Sequence, residues 1–290
     1  MCTFVCAKIK KYTIYCVFAI DLTQYICYTY NANRCRQVCP YADMAYIGRF
    51  WARQKQEGEI AVNIQGYQKL TLLDYPGKTA CTVFTGGCNF RCPFCHNAPL
   101  VEHPNEYRTA LDEVLEYLQK RKGLLDGVCI TGGEPLLQKD ITQFIAKVKA
   151  MGYSVKLDTN GGLPERLKEV IGLVDYVAMD VKSSPGRYCE AAGCPVELES
   201  VEKSIGIIKQ SGVEYEFRTT VVKGLHDEKT LSELALWLGE VKRYYLQGYV
   251  DSGDILGDKH KLSAFTPSEM KSLLSIVRKH VPSACLRGIE

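Results

Sequence analysis

The chain has 290 residues, of which 46% are apolar, so it is long enough for one sizeable hydrophobic core in a single domain or in two small ones. The formal charge of +3 is too small to indicate a nucleic-acid-binding surface, and no nucleic-acid partner is expected. An apolar run over residues 12–20 is too short to cross a bilayer and ends at Asp21 without a cleavage site. We therefore expect a cytoplasmic protein that does not associate with membranes.

Fourteen cysteines are many for this length, and six of them lie in the first 39 residues. Disulfides require an oxidising compartment, so in a cytoplasmic protein we expect reduced cysteines that are available for metal. Residues 1–61 show no sustained helical or strand period, which predicts a poorly structured N-terminal extension. This extension has two C-x3-C pairs that can in principle hold a metal, although zinc sites more often use C-x2-C pairs. They are Cys2 with Cys6 and Cys35 with Cys39.

A second interpretation is that residues 1–61 are not natural protein and that the start of the chain is mis-assigned. The codons for residues 55–59 can form a purine-rich sequence that resembles a bacterial ribosome-binding site, and Val62 can be encoded by an alternative start codon. On both interpretations the boundary falls after residue 61, and residues 62–290 form the catalytic domain.

From Val62 onward, short apolar runs alternate with amphipathic stretches, which is the pattern of βα units around a parallel sheet. Strands are predicted at 80–85, 127–131, 154–159, 176–181, 214–221, 243–247 and 284–286. Helices are predicted at 109–122, 138–151, 163–172, 199–211, 227–241 and 266–280. The fold class is therefore α/β, and these units can close a barrel, close one partly, or form an open doubly wound sheet. In each case the catalytic groups should lie at the carboxyl ends of the strands.

Cys88, Cys92 and Cys95 follow the strand predicted at 80–85, and the preceding Gly86-Gly87 pair lets the backbone turn sharply. Three thiolates at this spacing can converge on one small inorganic group. A tetrahedral zinc ion would need a fourth protein ligand, and the histidine directly after Cys95 is poorly placed to provide it. A [4Fe–4S] cluster normally takes four cysteines, so three cysteines leave one iron open, as catalysis at the cluster requires.

Polar residues also end the strands that follow. They are Gly132-Gly133-Glu134, Asp158-Thr159-Asn160, Asp180 with Lys182, and Arg218 within the strand at 214–221. Each group alone is also typical of an ordinary turn or a solvated strand end. A cationic pair such as Lys182 and Arg218 suits an electron-rich ligand that carries a carboxylate. We interpret His226, in a loop after Gly224-Leu225, as a surface residue.

The cysteine loop resembles the signature C-x3-C-x-aromatic-C of the radical S-adenosylmethionine (radical SAM) superfamily, with Phe94 as the aromatic residue. This resemblance implies a [4Fe–4S] cluster whose open iron binds the amino and carboxylate groups of S-adenosylmethionine (SAM). An electron from the reduced cluster then cleaves SAM and yields a 5′-deoxyadenosyl radical, which abstracts hydrogen. The residues that the resemblance places on SAM are Phe94, Gly132, Gly133, Glu134, Asp158, Thr159, Asn160, Asp180, Lys182 and Arg218.

Further strings, including Gly66 to Leu70, Phe84 to Asn97 and Tyr215 to Val222, resemble the activating proteins of anaerobic ribonucleoside-triphosphate reductases. This resemblance implies an oxidoreductase that abstracts hydrogen from one glycine of its partner, a glycyl radical enzyme. It also implies an electron donor of the flavodoxin or ferredoxin type. Because the partner's peptide must reach the barrel mouth, a partial (β/α)6 radical SAM barrel is expected over residues 62–290.

In glycyl-radical-enzyme activases, residues placed like Asp158, Thr159 and Asp180 contribute to a monovalent-cation site beside the SAM carboxylate. Residues placed like Lys182 and Arg218 lie near SAM and the incoming peptide, and both are assigned to catalysis here with the three cysteines. Residues 96–128 contain no cysteine, so only one cluster is expected.

Two alternatives remain open at this stage. A pyruvate formate-lyase type activase, or a radical SAM enzyme that acts on a small molecule such as a deazaguanine precursor, would carry the same cysteines and strand-end residues. A non-enzymatic iron–sulfur carrier or zinc-binding module would also use such a loop.

Overall fold

A computed structural model of the chain describes residues 3–8, 13–21, 24–31, 60–251 and 254–289. The chain divides into two compact units, Met1–Glu59 and Ile60–Glu290. The division lies two residues before the boundary expected from the sequence. That residues 1–61 precede the natural start stays a prediction, which mass spectrometry of the native N-terminus would test.

The first unit contains an antiparallel sheet in the order β1-β2-β3. Its strands are β1 (Thr3–Lys8), β2 (Thr13–Asp21) and β3 (Gln24–Asn31). These strands were not predicted, because their apolar and polar residues do not alternate cleanly, although β-branched and aromatic residues are frequent in them. Of the four cysteines in the two C-x3-C pairs, Cys6 lies in β1, whereas Cys2, Cys35 and Cys39 are outside the described residues, so the metal sites considered there stay a prediction.

The second unit is built on an eight-stranded sheet whose strand order follows the chain from β4 to β11. The first pair of strands is antiparallel and every later pair is parallel. Among the described residues the outer strands β4 and β11 do not pair with each other, so the sheet is open. The strands are β4 (Ile64–Thr71), β5 (Ala80–Thr85), β6 (Gly127–Gly132), β7 (Ser154–Thr159), β8 (Tyr176–Asp180), β9 (Glu214–Val221), β10 (Tyr244–Gly248) and β11 (Ala284–Arg287).

A helix follows each of the six strands β5 to β10 before the next strand begins, which makes a partial (β/α)6 barrel and confirms the predicted fold class. The predicted helices end within a few residues of the observed ones. Strand β4 and the two shortest helices, α1 and α5, were not predicted. The helices are α1 (Ala98–Glu102), α2 (Leu111–Lys120), α3 (Ile141–Ala150), α4 (Pro164–Val170), α5 (Tyr188–Ala192), α6 (Leu198–Gln210), α7 (Glu228–Leu238) and α8 (Pro267–Val277).

Helix α8 shows why these stretches are helical. The Thr266 hydroxyl accepts the backbone N–H of Glu269, and the Glu269 carboxylate accepts the backbone N–H of Thr266, which is a complete capping box. The helix buries one apolar face against the unit's core. That face is Met270, Leu273, Leu274 and Val277.

Alternation along the parallel strands separates the core from the site. In β9, Tyr215, Phe217 and Thr219 are buried, while the intervening Arg218 is only partly buried and reaches the interior of the barrel. The register sets Arg218 directly beside Asp180 of β8. Polar side chains from neighbouring strands, such as Asp180 and Arg218, therefore meet inside the barrel near its carboxyl edge. This is the edge at which the catalytic groups were predicted.

Candidate active site

A cavity of about 440 Å³ opens at the carboxyl edge of the sheet, a volume in the range of small-ligand pockets. All of the predicted site residues except Glu134 line it. Those residues are Cys88, Cys92, Phe94, Cys95, Gly132, Gly133, Asp158, Thr159, Asn160, Asp180, Lys182 and Arg218. The structure therefore brings together residues from the cysteine loop and from the ends of β6, β7, β8 and β9.

The pairs Gly86-Gly87 and Gly132-Gly133 hold the cysteine loop against the end of β6. Gly133 lies directly on Gly87, so that any side-chain carbon at Gly133 would collide with the Gly87 carbonyl group. That carbonyl oxygen accepts the backbone N–H of Glu134 at 2.8 Å. Gly87 itself has a φ of 86°, a left-handed conformation that side chains disfavour. Glycine is required at these positions because two stretches of backbone are in direct contact.

Further hydrogen bonds hold the loop in shape. The Arg91 guanidinium donates to the Cys88 carbonyl oxygen at 2.6 Å, and the Arg91 backbone N–H donates to Ala192 of α5 at 2.8 Å. The Cys88 sulfur accepts the backbone N–H of Phe90 at 3.3 Å and lies 3.6 Å from the Asn160 amide nitrogen. Donors aimed at a sulfur stabilise a thiolate, which is the form that binds metal.

All three loop cysteines are free thiols that line the cavity. Burial raises the pKa of Cys88 to about 11 and that of Cys92 to about 12, and it also raises the pKa of Cys95. The positive charge of Lys182 acts in the opposite direction on each of them. A metal centre would bind the thiolates and release their protons.

Three soft thiolate ligands on one short, rigid loop are the donor set that an iron–sulfur cluster uses. Within the described ranges, no three His, Cys, Asp or Glu side chains converge on a single metal-ion position. A [4Fe–4S] cluster does not need such convergence, since each cysteine binds a different iron. The residues present therefore fit a cluster.

Charged side chains at the ends of β7, β8 and β9 form one network. The Arg218 guanidinium bridges two carboxylates, with Nε 2.8 Å from Asp180 and Nη1 3.3 Å from Asp158. Lys182 lies 3.1 Å from the other oxygen of Asp180. Lys156, whose side chain is 2% exposed, contacts the remaining oxygen of Asp158. The network has three cations and two anions, so its charge is net positive.

The pKa values of these groups follow from the pairing. Burial by itself would raise the pKa of Asp180, but Arg218 and Lys182 hold it well below its usual range. The pKa of Asp158 is likewise lowered, because Arg218 and Lys156 outweigh the effect of burial. Both carboxylates are therefore ionised at neutral pH.

The predicted monovalent-cation site looks different once these contacts are known. Arg218 lies between Asp158 and Asp180, and the Thr159 hydroxyl donates to Glu134 at 2.9 Å instead of facing the two carboxylates. Protein cations thus already neutralise both carboxylates. A bound cation at these three residues stays a prediction, and it would require Arg218 to move.

Glu134 is fully buried and does not line the cavity. Its carboxylate accepts the backbone N–H groups of Leu136 and Asn160, at 3.1 and 2.7 Å, and the hydroxyl of Thr159. Burial raises the pKa of Glu134 to about 7, although these hydrogen bonds favour the ionised form. In this arrangement the side chain ties the end of β6 to the end of β7. Its predicted contact with SAM would need a different orientation.

His226 was interpreted as a surface residue, and this was wrong. Its side chain is 3% exposed. The backbone N–H of Val222 donates to Nδ1 at 3.1 Å, so Nε2 carries the proton and donates to the Lys182 carbonyl oxygen at 2.9 Å. His226 therefore fixes the backbone at the end of β8, immediately beside the cavity.

Among the site residues that were not predicted, Lys156 and Gln247 bear on the chemistry. Lys156 lies between the buried apolar residues Val155 and Leu157 of β7, and a lone lysine carries no motif. Gln247, at the end of β10, lines the cavity together with Gly248. Because Gln247 is neutral, a search for titratable residues at strand ends does not find it.

The sequence matches the family described as the Radical SAM superfamily over residues 82–235. A candidate glycyl-radical enzyme activating enzyme of Methanocaldococcus jannaschii is 32% identical over 235 residues, which cover 78% of this chain and 96% of the relative. The 7-carboxy-7-deazaguanine synthase of Thermococcus kodakarensis is 30% identical, over 47% of this chain and 61% of the relative. The structure of Streptococcus suis SuiB bound to precursor peptide SuiA is similar in fold, with a TM-score of 0.56, 17% identity and coverage of 71% of this chain and 48% of SuiB.

Among the described residues, none of the helices is both long enough and apolar enough to span a bilayer. The cytoplasmic location stays a prediction.

Proposed function

The chain belongs to the radical SAM superfamily, and we propose that it is a glycyl-radical-enzyme activase whose target is an anaerobic ribonucleotide reductase. The observation that supports an activase is the extent of the resemblance to the Methanocaldococcus jannaschii relative, which covers 96% of that protein, against 61% of the deazaguanine synthase. The choice of an anaerobic ribonucleotide reductase as the target rests on the sequence strings, such as Phe84 to Asn97, that resemble the activating proteins of these reductases.

The superfamily uses a [4Fe–4S] cluster and SAM. When bound, these cofactors supply reductive cleavage of SAM and hydrogen abstraction from the substrate. Cys88, Cys92 and Cys95 would hold the cluster. The loop's backbone contacts with Gly133 and Ala192 would keep the three sulfurs in place.

The charged network would bind the amino-acid end of SAM. Lys182 and Arg218 line the cavity, and together with Lys156 they give the network its excess positive charge, which suits the SAM carboxylate. The backbone of Gly132 and Gly133 borders the same space without side chains, so a ligand can approach it closely. Asn160 and Phe94 complete the proposed SAM-binding surface.

Part of the cavity wall suits a peptide substrate. Thr220, Gln247 and Gly248 line the cavity, and all three are uncharged. Their polar groups can match the backbone of a glycine-containing loop. Because the sheet is open between β4 and β11, the barrel is not closed against a macromolecular partner.

The proposed partners are a glycyl radical enzyme and an electron donor of the flavodoxin or ferredoxin type. A second candidate function is a small-molecule reaction of the deazaguanine synthase kind, which the similarity to the Thermococcus kodakarensis enzyme favours. Both functions need the same cluster, so iron content and SAM cleavage do not separate them.

The test is an activation assay with the anaerobically reconstituted protein. With SAM, dithionite and an anaerobic ribonucleotide reductase, we expect a glycyl-radical doublet in the electron paramagnetic resonance spectrum. A signal obtained only with a pyruvate formate-lyase type partner would move the target. SAM cleavage with no radical on either partner, together with turnover of a deazaguanine precursor, would support the second candidate.

A further inference from the structure

Lys156 is a buried lysine for which sequence motifs give no role. It lies in the middle of β7, its side chain is 2% exposed, and both of its neighbours in the strand are fully buried apolar residues. Its ammonium group contacts Asp158 and lies 3.7 Å from the sulfur of Cys129. A buried ammonium is costly unless it is paired, so its attachment to Asp158 is a strong constraint on both side chains.

The position of Lys156 relative to the cavity is informative. Asp158, Lys182 and Arg218 line the cavity, whereas Lys156 does not. Lys156 therefore reaches the ligand space only through Asp158, whose other oxygen faces Arg218. The ammonium group of Lys156 neutralises part of the negative charge of Asp158. Asp158 therefore offsets less of the positive charge of Arg218, which faces the cavity.

Neutralising Asp158 and Asp180 is the effect expected of a cation bound beside these two carboxylates. A cation there would offset the carboxylates so that the SAM carboxylate is not repelled. In this chain an ammonium group already sits on Asp158, Arg218 lies between the two carboxylates, and Thr159 is turned toward Glu134. Protein side chains therefore already neutralise the two carboxylates, which is what a bound cation would do.

We propose that Lys156 is the built-in cation of this site, a positioning residue that holds Asp158 and Arg218 for SAM and makes a bound monovalent cation unnecessary. The proposal rests on SAM binding, which the whole superfamily shares, and not on the identity of the target enzyme. It therefore holds whether the substrate is a glycine peptide or a small molecule.

The test measures the dissociation constant of SAM with the cluster-loaded protein under non-reducing conditions, in which SAM is not cleaved. Each protein is titrated in potassium, ammonium and tetramethylammonium chloride at equal ionic strength. Lys156→Ala removes the ammonium group and leaves space for a small cation. Lys149→Ala is the matched control, because Lys149 forms a lysine–aspartate pair with Asp175, at 2.7 Å, that is outside the cavity lining.

We expect the wild-type protein and Lys149→Ala to bind SAM equally well in all three salts. Lys156→Ala should bind SAM about tenfold more weakly in tetramethylammonium chloride, and ammonium or potassium ions should restore most of the loss. Rescue by a small cation, but not by a bulky one, is a result that a merely structural role of Lys156 would not produce.

Three outcomes would overturn the proposal. The first is a wild-type protein whose SAM affinity falls about tenfold when potassium is replaced by tetramethylammonium. The second is a Lys156→Ala variant that binds SAM as wild type does in tetramethylammonium chloride. The third is a variant that binds weakly in every salt. If Lys156→Ala loses its fold or its iron, the salt comparison of the wild-type protein decides alone.

Discussion

Gly133 packs against the backbone of Gly87 so closely that no side-chain carbon fits between them. This contact joins the end of β6 to the loop that carries Cys88, Cys92 and Cys95, the proposed cluster ligands. The cysteine motif and the Gly132-Gly133-Glu134 motif, more than forty residues apart in sequence, are thus held in contact.

The first prediction concerns this contact. Gly133→Ala should force the two backbones apart, destabilise the protein by about 2 kcal/mol or more and reduce its retained iron. Gly206→Ala is the control, because Gly206 lies in helix α6 with open space around its α-carbon. That variant should be more stable than wild type by up to about 1 kcal/mol. Thermal unfolding and iron analysis measure both effects. A Gly133→Ala variant that is stable and keeps its full iron content would show that the contact with Gly87 does not support the cysteine loop.

The second prediction concerns the cluster ligands. Cys92→Ala should abolish both the cluster and SAM cleavage, because the thiolate that it removes cannot be replaced by a neighbouring residue. Cys285 is exposed in β11 and does not line the cavity, so Cys285→Ala should keep both. Absorbance, iron and sulfide content, and formation of 5′-deoxyadenosine are the measurements. Retained cleavage in Cys92→Ala would show that this cysteine is not a ligand.

A third prediction uses the geometry of Arg218. A lysine at this position keeps the charge but cannot bridge Asp158 and Asp180 as the guanidinium does, so Arg218→Lys should weaken SAM binding by about tenfold. Arg243 pairs with Glu214 at the start of the same strand and does not line the cavity. Arg243→Lys should therefore bind SAM normally. Equal affinities in the two variants would contradict the proposed role of the bridge.

The fourth prediction is a pH effect at His226. Burial lowers the pKa of His226 below its usual value of about 6.5, so the folded protein favours the neutral ring. The stabilisation from this group is therefore complete above pH 6.5 and is lost as the pH falls further. The free-energy advantage of wild type over His226→Gln should shrink between about pH 7 and pH 5. The exposed His103, changed in the same way, is the control, and a constant advantage of wild type over His226→Gln across this range would exclude the mechanism.

The fold was largely predictable because its information is local and periodic. Each parallel strand of the second unit reads as a short buried run, and each long helix as an amphipathic stretch. Strand β4 was not predicted because it is an edge strand in which the consecutive residues Gln68, Lys69 and Leu70 are all exposed, so buried and exposed positions do not alternate, and its pairing has two irregularities. Whether the sheet closes is decided by tertiary geometry that periodicity does not contain.

Site residues that belong to a sequence motif could be predicted, whereas residues whose role depends on tertiary packing could not. The cysteines were identified by their spacing, Lys182 by its position just after β8, and Arg218 by the resemblance of its string to the activating proteins. The burial of His226 and the inward turn of Glu134 depend on neighbours distant in sequence, which no local pattern encodes. Lys156 was missed for a different reason: its partner Asp158 is only two residues away, but a lone lysine carries no motif and its burial is decided by the packing around β7.

The most direct test of the proposed activity follows one hydrogen atom. The reconstituted protein is reduced with SAM in the presence of an anaerobic ribonucleotide reductase whose glycines carry deuterium at the α-carbon. We predict that 5′-deoxyadenosine acquires one deuterium as the glycyl radical forms on the reductase. Formation of 5′-deoxyadenosine without deuterium, and with no radical on the reductase, would contradict the proposal.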